Sequence, residues 1–250
     1  MKRAMLFAVV AGIAVIGVYS ITSAVDIPSS ICSIRAKDDT IRTKEPRDVS
    51  GLSVVTFAGG CFWCVEAAFE AVPGVREAIS GFSGGERANP TYKQVSYGLT
   101  KHTEAVQVYY DPKIITYEGL LQVLWRTADP TDSKGQFSDR GSHYRPAIFY
   151  HDEEQKRTAI RARDELAKSG PFEKPITIEI VAFKAFYRAE KRHQDYYLKN
   201  PCRYQLYTVG SGRAGFQEEV WDDELTVDFS KYRPRKTDRQ DAKPPKSKAM

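Results

Sequence analysis

Residues 52–72 read LSVVTFAGGCFWCVEAAFEAV, and their β-branched and apolar start at 52–58 predicts a strand. Gly59 and Gly60 interrupt that run and predict a tight turn. Beyond the turn, apolar residues recur at the spacing of a helix, at Val65, Ala68, Phe69 and Val72. The stretch therefore predicts a strand, a turn and a helix, with Cys61 at the junction of turn and helix.

The segments that follow extend this unit into an α+β domain. Strand patterns fall at 75–81, 103–110 and 147–150, and a helical pattern falls at 117–127. The resulting order, β-α-β-β-α-β, is that of the ferredoxin-like, split β-α-β two-layer plait. Later patterns add a helix at 152–169, a strand at 176–182 and a helix at 190–198 on the C-terminal side.

Two long polar segments, 82–101 and 129–146, carry no strand or helix pattern of their own. Structureless connections of this length inside a compact domain usually have a function. Both segments precede a predicted strand, and both contain tyrosines, among them Tyr92 and Tyr144. We therefore expect a functional role for both.

The N-terminus has the composition of an export signal. Lys2 and Arg3 precede an uncharged run at 4–25, so residues 1–25 are predicted to be a signal peptide or an N-terminal membrane anchor. Cleavage and retention as a membrane tether both stay open. Either outcome places the rest of the chain outside the cytoplasm, in the periplasm or anchored to the membrane. Residues 26–50 are predicted to be a linker, with Cys32 as a spare thiol.

Composition and charge exclude several classes of protein. A chain of 250 residues that is 42% hydrophobic and 12% aromatic is globular, not collagenous, wholly disordered or a disulfide scaffold. The net charge is +5, but residues 231–250 hold eight Lys or Arg against two Asp, which leaves the remainder close to neutral. A basic nucleic-acid-binding domain is thereby excluded.

We expect a main domain at 51–205, followed by a C-terminal extension at 206–250. The extension is predicted to be disordered from about residue 231, where prolines alternate with charges. Contact of this basic tail with anionic lipid is a second interpretation.

Cys61 and Cys64 form a Cys-x-x-Cys pair at the predicted helix start. Unpaired backbone N–H groups and the helix dipole there favour a thiolate, which predicts a lowered pKa for Cys61. Redox chemistry is one interpretation of the pair. Half of a zinc site and a static disulfide are the others, but no second Cys or His pair completes four zinc ligands, so we expect no metal.

With the motifs around this pair, the sequence resembles the peptide methionine sulfoxide reductases of the A type. The resemblance runs in order from about residue 51 to about residue 200, so the domain at 51–205 is expected to be a methionine sulfoxide reductase catalytic domain. The motifs are GGCFWCVE at 59–66, GFSGG at 81–85, NPTY at 89–92, HTE at 102–104, DPT at 129–131, DRGSHYR at 139–145, HQ at 193–194 and YYL at 196–198.

The resemblance implies a role for each residue of the main motif. The family's first cysteine attacks the sulfoxide sulfur, which implies Cys61 as the nucleophile. Phe62 and Trp63 would line the pocket for the methyl group of the substrate. The glutamate that protonates the sulfoxide oxygen falls at Glu104. At the head of an apolar strand this carboxyl is expected to be desolvated, which raises its pKa and keeps it protonated near neutrality.

The family's two oxygen-binding tyrosines fall at Tyr92 and Tyr144, whose phenols are suited to donate hydrogen bonds to the developing oxyanion. The family's aspartate falls at Asp139, where we expect it to orient the substrate amide or a bound water. Two neighbours depart from the family pattern, since His143 stands where glutamine is usual and Pro146 where serine is common. We expect no catalytic role for His143.

The oxygen left on Cys61 forms a sulfenic acid, with which a second thiol must condense to give a disulfide. Cys64 is the nearest candidate, although many family members have glycine at that position and keep their resolving cysteines in a Gly-rich C-terminal segment. Cys202 is the C-terminal alternative, outside any such Gly-rich pattern, and is also a candidate to act after Cys64.

Together these expectations describe an exported or membrane-tethered thiol enzyme that reduces methionine sulfoxide, free or in oxidised proteins. The resemblance implies preference for the S epimer, no metal, flavin or nucleotide cofactor, and a thioredoxin-like dithiol protein as electron donor. We expect a monomer. Two rival interpretations are a thioredoxin-like disulfide oxidoreductase and a non-catalytic adhesion or scaffold domain with a structural Cys61–Cys64 disulfide.

Overall fold

The structure is a computed structural model that describes residues 48–234. The predicted signal or anchor at 1–25, most of the predicted linker with Cys32, and the tail from residue 235 lie outside the described residues. Within residues 48–234, no helix has both the length and the apolar character that crossing a bilayer requires.

The described strands and helices follow one another in mixed order. The strands are β1 (Ser53–Ala58), β2 (Val75–Ser83), β3 (Thr103–Tyr110), β4 (Gly135–Gln136), β5 (Asp139–Arg140), β6 (Ala147–Tyr150), β7 (Glu179–Ala182) and β8 (Phe186–Arg188). The helices are α1 (Phe62–Glu70), α2 (Tyr92–Ser96), α3 (Tyr117–Thr127), α4 (Glu153–Ser169), α5 (Tyr196–Lys199), α6 (Pro201–Gly210) and α7 (Arg213–Trp221). Short 3-10 turns occupy Ser142–Tyr144, Asp222–Glu224 and Phe229–Tyr232.

Six strands form the main sheet, in the order β7-β6-β1-β3-β2-β8. The central strands β6, β1, β3 and β2 are antiparallel to their neighbours, as the split β-α-β plait requires. The predicted α+β plait is thus confirmed. Strand β7 extends it parallel to β6 at one edge, and β8 extends it antiparallel to β2 at the other.

The core lies between the sheet and the helices α1 and α3. Alternation along β1 directs Val55 and Phe57 to the helix side, and both are fully buried. The Phe57 ring stacks on Phe69 of α1 at 5.2 Å and on Tyr117 of α3 at 6.0 Å. A smaller apolar cluster around Phe149 covers the opposite face. This two-sided packing fixes the end of β1, where Cys61 follows.

The predicted helix at 190–198 is wrong over most of its length, because α5 begins only at Tyr196. The Gln194 side chain acts instead as a partner for the sheet edge: its Oε1 accepts from Ser80 N at 3.0 Å and its Nε2 donates to Ser80 O at 2.8 Å. Asp195 then adopts a left-handed conformation, with φ of 52°, which no helix interior tolerates. The strand predicted at 176–182 is also shorter in the structure, where β7 comprises only Glu179–Ala182.

The segments expected to be irregular contain small elements. The first long loop includes α2, which begins with a Thr91 capping box, and the second includes the β4–β5 hairpin. The C-terminal extension predicted from residue 206 contains the second half of α6 and all of α7. Order also continues past residue 231, since Tyr232 O accepts a hydrogen bond from Thr116 N at 2.9 Å.

Candidate active site

Cys61 lies where β1 turns into α1. Gly60 has a φ of +81°, and a Cβ at that position would come within 2.6 Å of the Gln136 Cβ, so the turn requires glycine. The Cys61 carbonyl accepts the first hydrogen bond of α1, from Cys64 N at 3.1 Å. The Cys61 side chain is only 5% exposed. The predicted strand, turn and helix thus place a buried thiol at the helix N-terminus.

Glu104 meets this helix start from the neighbouring part of the sheet. It is 1% exposed, and its Oε2 accepts a hydrogen bond from Phe62 N at 3.0 Å. Burial raises the pKa of Glu104 to about 8, with a smaller contribution from the charge of Asp139. The expected desolvation of Glu104 is therefore present. Its carboxyl holds a proton at neutral pH and is bonded to the backbone of Phe62, the residue that follows Cys61.

Aromatic side chains wall the site. Phe62 is buried, with its ring 6.2 Å from that of Tyr92. Trp63 stacks on Tyr196 with ring centres 3.7 Å apart and an interplanar angle of 6°. Tyr207 meets the edge of the same indole at 5.9 Å. The two aromatic residues of the main motif therefore belong to one continuous apolar surface beside Cys61.

His193 holds this wall together, a role that the sequence motif alone did not indicate. Its Nδ1 accepts a hydrogen bond from Trp63 Nε1 at 3.2 Å, and its ring lies 4.2 Å from that of Tyr92. Burial lowers the pKa of His193 to about 4. The imidazole is consequently neutral at physiological pH and orients the indole as an acceptor.

Tyr92 and Tyr144 both lie near Glu104 and Cys61, whose charges contribute to the pKa shifts of the two phenols. Burial raises the pKa of Tyr92 to about 12, and the Glu104 and Cys61 charges add to the shift. Burial, followed by the Glu104 charge, raises the pKa of Tyr144 as well. Both phenols therefore keep their protons and remain hydrogen-bond donors, as the oxyanion role demands.

Asp139 reaches the site through a residue from the C-terminal side. Its Oδ2 accepts a short hydrogen bond from the Tyr207 hydroxyl, and Tyr207 also contacts the Cys61 thiol. The ring of His143 packs on Tyr144 at 4.3 Å, and burial lowers the pKa of His143. The imidazole of His143 is therefore neutral near physiological pH and packs on Tyr144.

The two thiols differ from the expectation drawn from the helix N-terminus. Burial raises the pKa of Cys61 well above its ordinary value, and the neighbouring Cys64 and Glu104 add to this effect. The pKa of Cys64 is lowered instead, through its interaction with the Cys61 thiol and the positive charge of Arg213. The predicted lowering of the Cys61 pKa is therefore wrong, because burial outweighs the helix dipole.

Three residues near the two thiols were missed in the sequence: Tyr204, Tyr207 and Arg213. All lie on α6 and α7, near or beyond the expected domain end at residue 205. Tyr204 contacts Cys64, just as Tyr207 contacts Cys61. Their spacing of three residues puts both tyrosines on one helix face, which is the signal that could have indicated them.

Cys202 lies on the same helix but is not brought to the site. At 100° per residue, its side chain leaves α6 on the side opposite to Tyr204 and Tyr207. It is half-buried and forms no disulfide among the described residues. Cys61 and Cys64, in contrast, are both buried and interact with each other, and like Cys202 they form no disulfide among the described residues.

One cluster of carboxylates lies behind the site, at the other end of α1. Oxygens of Glu66, Glu70 and Asp195 lie within 4.8 Å of one another. Glu66 accepts hydrogen bonds from Ser80 Oγ at 2.6 Å and from the Asp195 amide at 2.7 Å. Burial raises the pKa of Glu66 to about 7. These hydrogen bonds tie α1 to the chain before α5, which explains the cluster structurally.

A comparison with protein families matches residues 53–225 to the model described as "Peptide methionine sulfoxide reductase". The chain belongs to the peptide methionine sulfoxide reductase family. Like the family, it is an enzyme that reduces methionine sulfoxide. This identity sets aside the thioredoxin-like oxidoreductase and the non-catalytic scaffold as interpretations of the Cys-x-x-Cys pair.

Individual relatives agree with the family. The reductase is 51% identical over 170 residues to the peptide methionine sulfoxide reductase MsrA of Listeria monocytogenes, covering 68% of this chain and 96% of that one. It is 50% identical over 168 residues to MsrA of Bacillus subtilis, covering 67% and 95%. Among solved structures, methionine sulfoxide reductase A of Corynebacterium diphtheriae matches with a TM-score of 0.53 at 35% identity, covering 64% and 78%.

A further solved structure is the reduced form of Mxr1 from Saccharomyces cerevisiae, which matches the reductase with a TM-score of 0.57 at 32% identity. The match covers 60% of this chain and 86% of that one. The family match ends at residue 225, so it includes α6 and α7. Both helices therefore belong to the reductase fold rather than to an appended extension.

Proposed function

We propose that Cys61 is the nucleophile of the reductase and that Glu104 supplies the proton to the sulfoxide oxygen. The observation that carries this proposal is the hydrogen bond from Phe62 N to Glu104 Oε2, which holds a protonated carboxyl beside the Cys61 end of α1. Tyr92 and Tyr144 are protonated phenols in the same site and provide further donors for the oxygen.

In the first step, the Cys61 sulfur attacks the sulfoxide sulfur while the oxygen receives a proton from Glu104. The oxygen is transferred to the Cys61 sulfur, its bond to the substrate sulfur breaks, and methionine leaves. The Cys61 thiol passes its own proton to Glu104, so Cys61 becomes a sulfenic acid and Glu104 is protonated again. Since the site walls are Phe62 and Trp63, the substrate methyl group is bound in an apolar environment. Preference for the S epimer follows from family membership rather than from a bound substrate.

In the second step, Cys64 condenses with the Cys61 sulfenic acid, which gives a disulfide and one water molecule. The adjacency of the two thiols supports Cys64 in this role, and the opposite orientation of Cys202 on α6 disfavours Cys202 as the direct partner. A thioredoxin-like dithiol protein then reduces the disulfide by thiol exchange and restores both thiols.

A single-turnover assay tests these roles. Pre-reduced full chain is mixed with a methionine sulfoxide peptide, and methionine and remaining thiols are counted for the wild type, Cys61→Ser and Cys64→Ser. The wild type should give one methionine and lose two thiols, Cys61→Ser should give none, and Cys64→Ser should give one without a disulfide. Absence of methionine from the wild type, or a normal yield from Cys61→Ser, would contradict the proposal.

We also propose that the reductase acts outside the cytoplasm. The support is the uncharged run at 4–25 behind Lys2 and Arg3, which is the pattern of an export signal. Fractionation of cells that produce the full chain checks this proposal, and recovery of the protein in the cytoplasmic fraction alone would refute it.

A further inference from the structure

Arg213, the first residue of α7, carries a buried positive charge next to the reactive turn. It is 2% exposed, and its Nη2 donates to Gly59 O at 3.0 Å while its Nη1 donates to Thr127 O. Its Nε has no hydrogen-bond partner. A Cβ added to Gly60 would lie 2.9 Å from Nη2. The guanidinium is thus packed against the two glycines that precede Cys61.

This charge lacks a carboxylate partner in the part of the chain that the structure describes, since no ion pair there includes Arg213. Carbonyl oxygens accept hydrogen bonds from Nη1 and Nη2 but do not balance the charge of the guanidinium. The Phe137 ring, 4.7 Å from Cζ, also offers only a quadrupole. A buried cation is costly unless an anion neutralises it. The environment of Arg213 therefore calls for a negative group.

The negative group can be identified from the ionisable groups that surround Cys64 and Arg213. The groups that interact with Cys64 are Cys61, Tyr204, Arg213, Asp139 and Glu104. Burial keeps Cys61, Tyr204 and Glu104 protonated near neutral pH. Asp139 accepts its hydrogen bond from the Tyr207 hydroxyl, and no ion pair among the described residues joins it to Arg213. Cys64 remains as the group whose ionised form is favoured by the positive charge.

We propose that Arg213 is the counter-ion of a Cys64 thiolate and thereby prepares Cys64 to attack oxidised Cys61. This inference rests on the proposed function. In the attack, the Cys64 and Cys61 sulfurs form a bond, the S–O bond of the sulfenic acid breaks, and the oxygen takes up a proton and leaves as water. The proton lost from Cys64 balances the one gained by the oxygen, so no further oxidant is needed.

Arg213 acts through Cys64 and touches no reacting oxygen, so it is a positioning residue. The thiolate is the nucleophile in disulfide formation, and a fixed cation raises the thiolate fraction at a given pH. The same pairing explains why α7 returns to the start of α1. It also separates the two thiols, since Cys61 stays protonated while Cys64 ionises.

A thiolate titration tests the pairing without substrate. The ultraviolet absorbance of the Cys64 thiolate is followed against pH in full chain that carries Cys61→Ser, with Cys61→Ser/Cys64→Ser as the blank for the other cysteines. The further change Arg213→Gln keeps a donor for the Gly59 carbonyl. At pH values below the titration midpoint it should reduce the Cys64 thiolate fraction about tenfold, which corresponds to a rise of one pKa unit. An unchanged midpoint would overturn the pairing.

Arg126 provides the matched control. Like Arg213, it is bonded to a backbone carbonyl, at Glu224 O, and it stacks on Trp221 of α7, although it is half-buried whereas Arg213 is buried. Arg126→Gln should leave the Cys64 midpoint where it is, and Arg213→Lys, which keeps the charge, should restore most of it. If Arg213→Gln does not fold, the titration of Cys61→Ser alone tests the pairing. In that protein the pKa of Cys64 must be below about 8.5, the ordinary value of a thiol, and a higher value would overturn the pairing.

Single-turnover kinetics then connect the pairing to the reaction. In Arg213→Gln, methionine release should stay within about twofold of the wild type, because Cys61 and Glu104 are unchanged. Disulfide formation should slow about tenfold near neutral pH and recover at higher pH, where Cys64 ionises unaided. A wild-type rate of disulfide formation at every pH would overturn the inference. Absence of methionine from the wild type would instead refute the proposed function, with the titration unaffected.

Discussion

At the scale of single residues, the site depends on two buried groups that keep their protons. Cys61 and Glu104 would both be ionised or partly ionised in water at slightly alkaline pH, yet burial raises both pKa values. A sulfoxide is a weak electrophile until its oxygen receives a proton. A site that stores a proton on Glu104 therefore makes the attack of a thiol on sulfur feasible.

Glu104→Gln tests the proton-donor role. The amide keeps the acceptor for Phe62 N but has no proton to release, so the first step should slow by about 10²- to 10⁴-fold. In the wild type, the rate of methionine release should be level below pH 8 and fall above it, because Glu104 loses its proton near that pH. Rapid-quench measurement of methionine against pH checks both expectations.

Stability provides the control for this variant. The pKa of Glu104 is higher in the folded protein than in the unfolded chain, so between about pH 4.3 and 8 the unfolded chain releases a proton that the folded protein keeps. The carboxyl therefore costs stability as pH rises through that range. Glu104→Gln should unfold at an equal or higher temperature at neutral pH. Full activity of a well-folded variant would contradict the role of Glu104.

Much of the site could be predicted at this scale, because its members occur in short, spaced motifs. The structure brings Cys61, Phe62 and Trp63 together with the residues of the later motifs, which are Tyr92, Glu104, Asp139 and Tyr144. Arg213 could not be predicted, since a lone arginine in a polar sequence has no local pattern. Only the fold shows that it is buried and lacks a carboxylate partner among the described residues.

At the scale of elements, periodicity was sufficient wherever one face of a strand or helix enters the core. The strand β1 and the helices α1, α3 and α4 follow their predicted ranges closely, and the Asp152 side chain accepts from Gln155 N at 2.8 Å to start α4. The helix predicted at 190–198 is wrong over 190–195 because the Gln194 side chain there forms hydrogen bonds with the backbone of β2. Gln194 pairs with Ser80 across 114 positions of sequence, which no local pattern encodes.

The same scale explains why the two long loops can build a site. Each loop contains one small element that fixes a tyrosine: Tyr92 begins α2, and Tyr144 ends the 3-10 turn after the β4–β5 hairpin. Thr103 Oγ1 donates to the carbonyls of His143 and Arg145, at 3.0 and 3.1 Å, and so fastens the second loop to the head of β3. Glu104 is the next residue of that strand.

At the scale of the whole molecule, the chain closes on itself around Cys61. Strand β1 delivers the cysteines, the two loops deliver the phenols, and α6 and α7 return to contact both thiols. The predicted main domain ends at residue 205, whereas the packing continues to Trp221, which is buried against the same core. The contacts of α6 and α7 with the two thiols depend on the tertiary structure, so no local sequence pattern predicts them.

The central claim is that oxygen moves from methionine sulfoxide to Cys61. A methionine sulfoxide peptide labelled with heavy oxygen is mixed with reduced Cys64→Ser full chain in ordinary water. The protein is digested at once, without a reagent that traps sulfenic acids, and the mass of the Cys61 peptide is measured by mass spectrometry. The account predicts a heavy-oxygen sulfenic acid on Cys61 and one methionine released per label. Label found only in water, with methionine formed and Cys61 unlabelled at the earliest time, would contradict it.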